Sequence, residues 1–370
     1  MGYDLVASLR RKMGAVRHLD ISTAARSLRA AFGGAAKPAA PDRPASDRPA
    51  SNRPATDRPA SDRPLRRRQR LGQAVADLAA RRAPDPAALP RPELPDLDPR
   101  SFECAAGRRD YRLFVPPQKP AGLLLMLHGC LQTPEDFALG TGINALAAEH
   151  GLVVAWPEQA PTDNARSCWN WFDPEHQHRG AGEPAILASL AKELRTEFRV
   201  PRARTFVAGL SAGGSMAAVL GEAYPEAFAA VGVHSGLACG TAHDGRSALA
   251  AMRGAPAAAR PLMPASRSPR VIVFQGTTDH VVHPMNADRV MARACALADV
   301  RPSRESHAPI GERTVGRSVA RRPDGTAAAE LWMIEGTGHA WSGGNRDGSF
   351  TDAAGPDASA EMLRFFLEAA

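Results

Sequence analysis

No run of apolar residues in this chain approaches the roughly 18 that a membrane-spanning helix requires. The first twenty residues, "MGYDLVASLRRKMGAVRHLD", lack the continuous apolar core of a secretory signal, because Arg10, Arg11 and Lys12 interrupt it. The expectation is a cytoplasmic protein, with extracellular action as the alternative. Five cysteines are too few for a disulfide scaffold, and an odd number leaves at least one thiol unpaired. Aromatic residues are scarce at 5%, and none interleaves the basic cluster "RPLRRRQR". That cluster reads as a solvated charge run and not as a nucleic-acid site, which would add stacking platforms to its charge.

The positive charge is unevenly placed. The first hundred residues carry 20 Lys and Arg against 11 Asp and Glu, whereas the remaining 270 carry 26 against 28. The folded part therefore needs no acidic partner. Within residues 1–35, Leu5, Val6, Leu9, Met13 and Val16 recur at helical spacing opposite basic residues. Such a helix can lie on an anionic or apolar surface, or dock on its own domain or a second subunit. Residues 36–100 contain a five-residue D-R-P-A-S repeat from Pro41 to Pro64. A proline in every repeat excludes helix interior and central strand, and the absence of large apolar side chains leaves ordering entropy unopposed. This stretch reads as a disordered linker, with the folded domain over 101–370.

From there, short apolar runs alternate with helical patterns. "GLLLMLHG", "LVVAWP", "TFVAG", "FAAVGVHSG", "VIVFQG" and "ELWMIEG" each end at Gly or Pro, as strands buried on both faces do. Helical spacing is expected over Ile143 to His150, Pro184 to Phe198, Gly213 to Ala223, Ala287 to Ala298 and Ala358 to Glu368. The alternation predicts an α/β domain: a mostly parallel, doubly wound sheet with helices on both faces.

"RTFVAGLSAGGSMAAVLGEAYP" places Ser211 between a strand and a helix, with Gly209, Gly213 and Gly214 around it. A tight strand-to-helix elbow lifts a serine hydroxyl into solvent, and small neighbours let backbone segments approach. A serine needs a histidine to take its proton, and the histidine needs an orienting carboxylate. In this fold class they follow in the order Ser, Asp, His. Asp279 in "VIVFQGTTDHVVHP" and His339 in "LWMIEGTGHAWSGG" both lie just beyond strand ends, where open parallel sheets place their sites. His234, Ser235, His280 and His283 are the rivals, each expected to line the cleft or satisfy a local bond. The oxyanion of a tetrahedral intermediate needs backbone donors. The N–H groups of Ala212 and Cys130 are the candidates, with Leu131 close behind Cys130.

Four stretches in order, "LMLHGCLQTPEDFALGTGINALAAEHGLVVAWPEQ", "SCWNWFDPEHQHRGAGEPAIL", "AGLSAGGSMAAVLGEAYPEAFAAVGVHSGL" and "GTGHAWSGGNRDGSFTDAAGPDASAEMLRFF", resemble the polyhydroxybutyrate-depolymerase type of α/β-hydrolase esterase. That group includes feruloyl and acetylxylan esterases, and the resemblance runs from about Asp110 to Phe366. It implies serine-dependent hydrolysis of carboxylic esters without a cofactor. Hydroxyalkanoate oligomers or polymer, aryl and sugar esters, and short soluble esters all fall within it. The rival from another class is a granule-associated or scaffolding protein with vestigial catalysis. Cys130 and Cys168 sit in two of the shared stretches. A disulfide between them would brace the oxyanion loop, but a reducing cytosol favours free thiols, and free thiols are the expectation. Trp169, Trp171 and Trp341 are expected to line the substrate cleft as flat apolar surface. His176, His178 and Glu183 lack the spacing of a metal site, and no metal is expected.

Overall fold

The computed structural model describes residues 96–256, 261 and 268–368. The amphipathic segment and the repeat region lie outside them.

Ten strands form one sheet: β1 (Asp98–Cys104), β2 (Gly107–Phe114), β3 (Gly122–Leu127), β4 (Leu152–Pro157), β5 (Thr205–Leu210), β6 (Ala230–His234), β7 (Arg270–Gly276), β8 (Pro302–Ile310), β9 (Arg313–Arg321) and β10 (Ala327–Ile334). Their spatial order is β1-β2-β4-β3-β5-β6-β7-β10-β9-β8. The six from β4 to β10 in that order pair in parallel, and antiparallel hairpins extend both edges. A separate pair, β11 (Trp341–Ser342) and β12 (Thr351–Asp352), is also parallel.

The continuous apolar runs have a direct physical reason. Successive side chains of a strand point to opposite faces. Leu123, Leu125 and Leu127 of β3 therefore enter one core while Leu124 and Met126 enter the other. Each fully buried leucine contributes roughly 1.5–3 kcal/mol. The first core is completed by α3 (Gly182–Glu197), α4 (Ala212–Ala223), α5 (Gly245–Met252) and α6 (Met285–Ala298). The second is completed by α1 (Pro134–Thr141), α2 (Ile143–His150) and α7 (Ala358–Leu367), where Phe206 of β5 stacks on Phe366 at 5.0 Å.

The hairpin strands were not expected from the sequence. β8 is exposed along its whole length, so it carries no apolar period to read. The domain also begins earlier than residue 101: β1 starts at Asp98, with Leu97 buried before it. Among the described residues, no helix is long and apolar enough to cross a membrane.

Because β3, β5, β7 and β10 run in parallel, their C-terminal ends share one edge of the sheet. The four loops leaving that edge carry Cys130, Ser211, Asp279 and His339.

Candidate active site

Ser211 joins β5 to α4 with φ 58° and ψ −117°, a conformation that β-carbon-bearing residues rarely adopt. Such strain persists only where the surroundings over-determine it. Here the Ser211 N–H donates to the His234 carbonyl at 2.9 Å, and its carbonyl accepts from the Ser215 N–H at 2.9 Å and the Ser215 hydroxyl at 3.0 Å. The same hydroxyl accepts from the Leu237 N–H at 2.9 Å, tying the elbow to the loop after β6. The turn closes only with glycine on either side. A β-carbon at Gly209 would stand 2.4 Å from the Gly213 carbonyl carbon, and one at Gly213 only 2.0 Å from the Leu127 oxygen.

The loops after β7 and β10 bring two more groups together. His339 Nδ1 lies 2.7 Å from Asp279 Oδ2, and both side chains are buried. Asp279 is fully occupied: Oδ1 accepts from the Val281 and Val282 N–H groups at 2.8 Å each, and Oδ2 also accepts from Gln275 Nε2 at 3.0 Å. Burial alone would raise its pKa. The charge and hydrogen bond of His339 and the two backbone donors outweigh burial and hold it below its ordinary value. An ionised carboxylate accepting at Nδ1 keeps the ring proton there and leaves Nε2 free as a base.

Ser211 and His339 line one small pocket with Cys130, Leu131, Gln132 and Phe350. Its volume is about 10 Å³, room for about one water, and it opens to solvent. Ala212 is the first residue of α4, so its N–H has no acceptor within the helix. Of the two N–H groups considered on the other wall, that of Leu131 is already bonded to the Arg166 carbonyl at 2.9 Å. The Cys130 N–H has no acceptor among the described residues.

Two expectations are corrected. Cys130 and Cys168 form a disulfide across a separation of 38 residues; they are not free thiols. The loop after β3 packs against the Cys168 loop and brings the two Cα atoms to 4.3 Å, a proximity invisible in the sequence. The tryptophans do not line the pocket. Trp169, Trp171 and Trp341 are 0%, 4% and 1% exposed and belong to the core. Trp169 donates from Nε1 to the His128 carbonyl at 3.1 Å, and Trp341 to Ser359 Oγ at 3.0 Å.

The rivals have other occupations. His234 Nε2 accepts from the Ser342 N–H at 3.0 Å, its ring stacks on Trp341 at 5.0 Å, and Nδ1 meets Ser235 Oγ at 3.2 Å. Burial, with His339 nearby, pushes His234 down to about 3. His283 Nδ1 accepts from the Met285 N–H at 3.2 Å, and His280 is exposed. His176 accepts from the Glu183 N–H at 3.2 Å, while the Glu183 carboxylate binds Gln159 Nε2 at 2.6 Å and the Asn170 amides at 2.7 and 2.8 Å. His178 is exposed beside the Arg179 carbonyl. Among the described residues, no group of three or more His, Cys, Asp or Glu could hold a metal ion. Gln132, Gln275 and Phe350 escaped the sequence reading. Each gains its role from a partner far along the chain or across a turn, and none carries a local signal.

The arrangement has relatives. Over 240 residues the chain is 29% identical to poly(3-hydroxyalkanoate) depolymerase C of Paucimonas lemoignei, covering 61% of this chain and 56% of that protein. Over 133 residues it is 33% identical to a poly(3-hydroxybutyrate) depolymerase of Ralstonia pickettii, covering 34% and 27%. The chain thus spans about half or less of these curated relatives. Among solved structures, an acetyl xylan esterase from Aspergillus awamori superposes with a TM-score of 0.55 at 17% identity, covering 70% of this chain and 93% of the other. That is a likeness of fold, and the fold is the α/β-hydrolase one. The family model described as Esterase PHB depolymerase matches residues 109–304, more than half of the sequence. The chain belongs to the PHB depolymerase esterase family.

Proposed function

We propose that this protein is a serine-dependent carboxylic ester hydrolase working through an acyl-enzyme. The observation that carries the reading is the buried Asp279–His339 pair, whose histidine shares one pocket with Ser211 at the sheet's C-terminal edge. In this reaction Ser211 Oγ attacks the ester carbonyl as His339 Nε2 takes its proton. Asp279 holds the ring and stabilises the imidazolium. The N–H groups of Cys130 and Ala212 stabilise the oxyanion. His339 then protonates the leaving alkoxide, and a water activated by the same nitrogen releases the acid and restores Ser211.

The family and its depolymerase relatives support hydroxyalkanoate oligomers or polymer, or related esters, as the substrate class. A second reading, short acyl esters including acetyl groups, has its own support in the small pocket walled by Leu131 and Phe350. The Cys130–Cys168 bond supports work in an oxidising compartment, the second of the two locations considered from the sequence. Attachment to a granule or anionic surface through residues 1–35 completes the proposal. It is tested by sedimenting the full chain and a chain lacking 1–95, which leaves Leu97 and β1 intact, with polyester granules.

The chemistry is tested with p-nitrophenyl butyrate and a serine-reactive phosphonate. Ser211→Ala should lose turnover and labelling, and Ser235→Ala should keep both. More than a few per cent of parent activity in purified Ser211→Ala would overturn the assignment.

A further inference from the structure

The pocket beside Ser211 is lined from two distant parts of the sequence. Gly129, Cys130, Leu131 and Gln132 follow β3, and Phe350 stands just before β12. Among the described residues, Phe350 alone of the segment between β11 and β12 reaches the pocket. It is half-buried and packs only partly on the second core, so burial does not by itself fix the ring. Its φ of 54° lies in the left-handed region, which an aromatic residue rarely adopts. Such a conformation persists only where the surroundings over-determine it.

The constraint comes from α1 and from the loop after β3. Asp136, in the first turn of α1, accepts the Ser349 N–H on Oδ1 at 3.0 Å and the Ser349 hydroxyl on Oδ2. Gln132 Nε2 lies 3.2 Å from each of Asp136 Oδ2, the Ser349 carbonyl and Ser349 Oγ, while its Oε1 accepts from the Gly129 N–H at 2.9 Å. On the other side of the residue, the Phe350 carbonyl accepts from the Trp341 N–H at 2.6 Å. The segment lies directly on α1, since a β-carbon at Gly348 would stand 2.2 Å from the Gly140 Cα. The spacing between the two linings of the pocket is thus set by the triangle of Gln132, Asp136 and Ser349.

We propose that Asp136 is a positioning residue that sets the acyl-size limit of the pocket: its two carboxylate oxygens seat Ser349 and so keep Phe350 in the pocket wall. Asp136 does not itself line the pocket; it acts through the ring. The carboxylate is needed because both of its oxygens face donors. An amide in its place turns an NH2 group toward either the Ser349 N–H or Gln132 Nε2, setting donor against donor. The inference rests on the serine-esterase reading above and deepens it by naming what restricts the acyl group.

The test reads acyl preference in four purified full-length proteins: the parent, Asp136→Asn, Phe350→Ala and the two substitutions combined. Each is assayed for kcat and KM on p-nitrophenyl acetate and p-nitrophenyl butyrate. Partial unfolding lowers both rates by one factor and cancels in the butyrate-to-acetate ratio of kcat/KM, so a merely structural role leaves that ratio where it was. Asp136→Asn should raise the ratio about threefold or more, toward the roughly tenfold of Phe350→Ala, through a lower KM for butyrate. Combined with Phe350→Ala it should add nothing, because the ring through which it acts is gone. An unchanged ratio in Asp136→Asn, or an equal rise with and without the Phe350 ring, would overturn the proposal. Should Asp136→Asn fail to fold, Ser349→Ala decides. It removes the hydroxyl contact, keeps the N–H, and should raise the ratio by a smaller factor, again only where Phe350 is present; an unmoved ratio there overturns the proposal too. Ser211→Ala run alongside keeps the two readings apart. Turnover by that variant would sink the serine mechanism itself, whereas an inert Ser211→Ala beside an unmoved ratio in Asp136→Asn would sink only the role of Asp136.

Discussion

His339 Nδ1 and Asp279 Oδ2 stand 2.7 Å apart across 60 residues of sequence, joined by a hydrogen bond buried at the sheet edge. Asp279→Asn presents either an amide N–H or an amide oxygen to Nδ1. The first forces the ring proton to Nε2, where it blocks proton abstraction from Ser211. A fall in kcat of about 10⁴-fold is expected, the size seen when a serine protease loses the correct tautomer. Asp288→Asn, on α6 away from the pocket, should stay near the parent rate. Steady-state kinetics on p-nitrophenyl butyrate decide, and a damaging Asp288→Asn beside a mild Asp279→Asn would contradict the assignment.

Acid sensitivity should come from two buried neutral histidines. Burial holds His128 at about 4 and His234 at about 3, against an ordinary 6.5. As pH falls below 6.5, the unfolded chain takes up protons at both positions before the folded one does. Stability therefore declines as pH drops across the window from 6.5 toward 4. Asp279 acts lower still: its depressed pKa favours the folded state above the ordinary carboxylate value and stops doing so as pH falls through the depressed one. Calorimetric Tm should decrease from pH 7 to pH 4.5, with a shallower slope in His234→Gln. A parent Tm that stays level through that range would refute this origin.

Trp341 and Phe350 should separate core from pocket. Trp341 packs edge-on against Phe137 at 5.4 Å and over His234 at 5.0 Å, so Trp341→Ala should cost about 3–5 kcal/mol of stability. Any folded fraction should lose acetyl and longer esters alike. Phe350 lines the pocket and is only half-buried. Phe350→Ala should favour longer acyl chains, raising the butyrate-to-acetate ratio of kcat/KM about tenfold at about 0.8 kcal/mol per methylene. A ratio that moves with Trp341→Ala and not with Phe350→Ala would reverse these roles.

The disulfide should matter to both stability and rate. Closing a 38-residue span restricts the unfolded chain by about 4 kcal/mol on the loop-entropy account. Cys168→Ser should lower Tm and slow turnover, because Cys130 carries the proposed oxyanion donor. Treatment with a strong dithiol reductant should do the same to the parent and nothing further to the variant. Full activity in Cys168→Ser would show that the loop holds its shape without the bond.

The alternation of strand and helix, the elbow around Ser211 and the placing of Asp279 and His339 just past strand ends were legible in the sequence. Each is written in local terms: an apolar run buried on both faces, glycines where two backbones touch, or a polar residue just past a strand end. The edge hairpins were not legible, because β8 buries none of its side chains and so has no hydrophobic period. Nor could composition tell a core tryptophan from a cleft tryptophan. That depends on which surface closes over the ring, and Trp169 is enclosed where its N–H meets the His128 carbonyl. The pairing of Cys130 with Cys168, the occupation of the Leu131 N–H by Arg166 and the isolation of the Cys130 N–H were likewise decided only by tertiary structure. The disulfide and the Leu131 bond depend on the meeting of loops that sequence spacing leaves free to lie anywhere, and that meeting is set by the sheet order that brings the loops after β3 and β4 side by side.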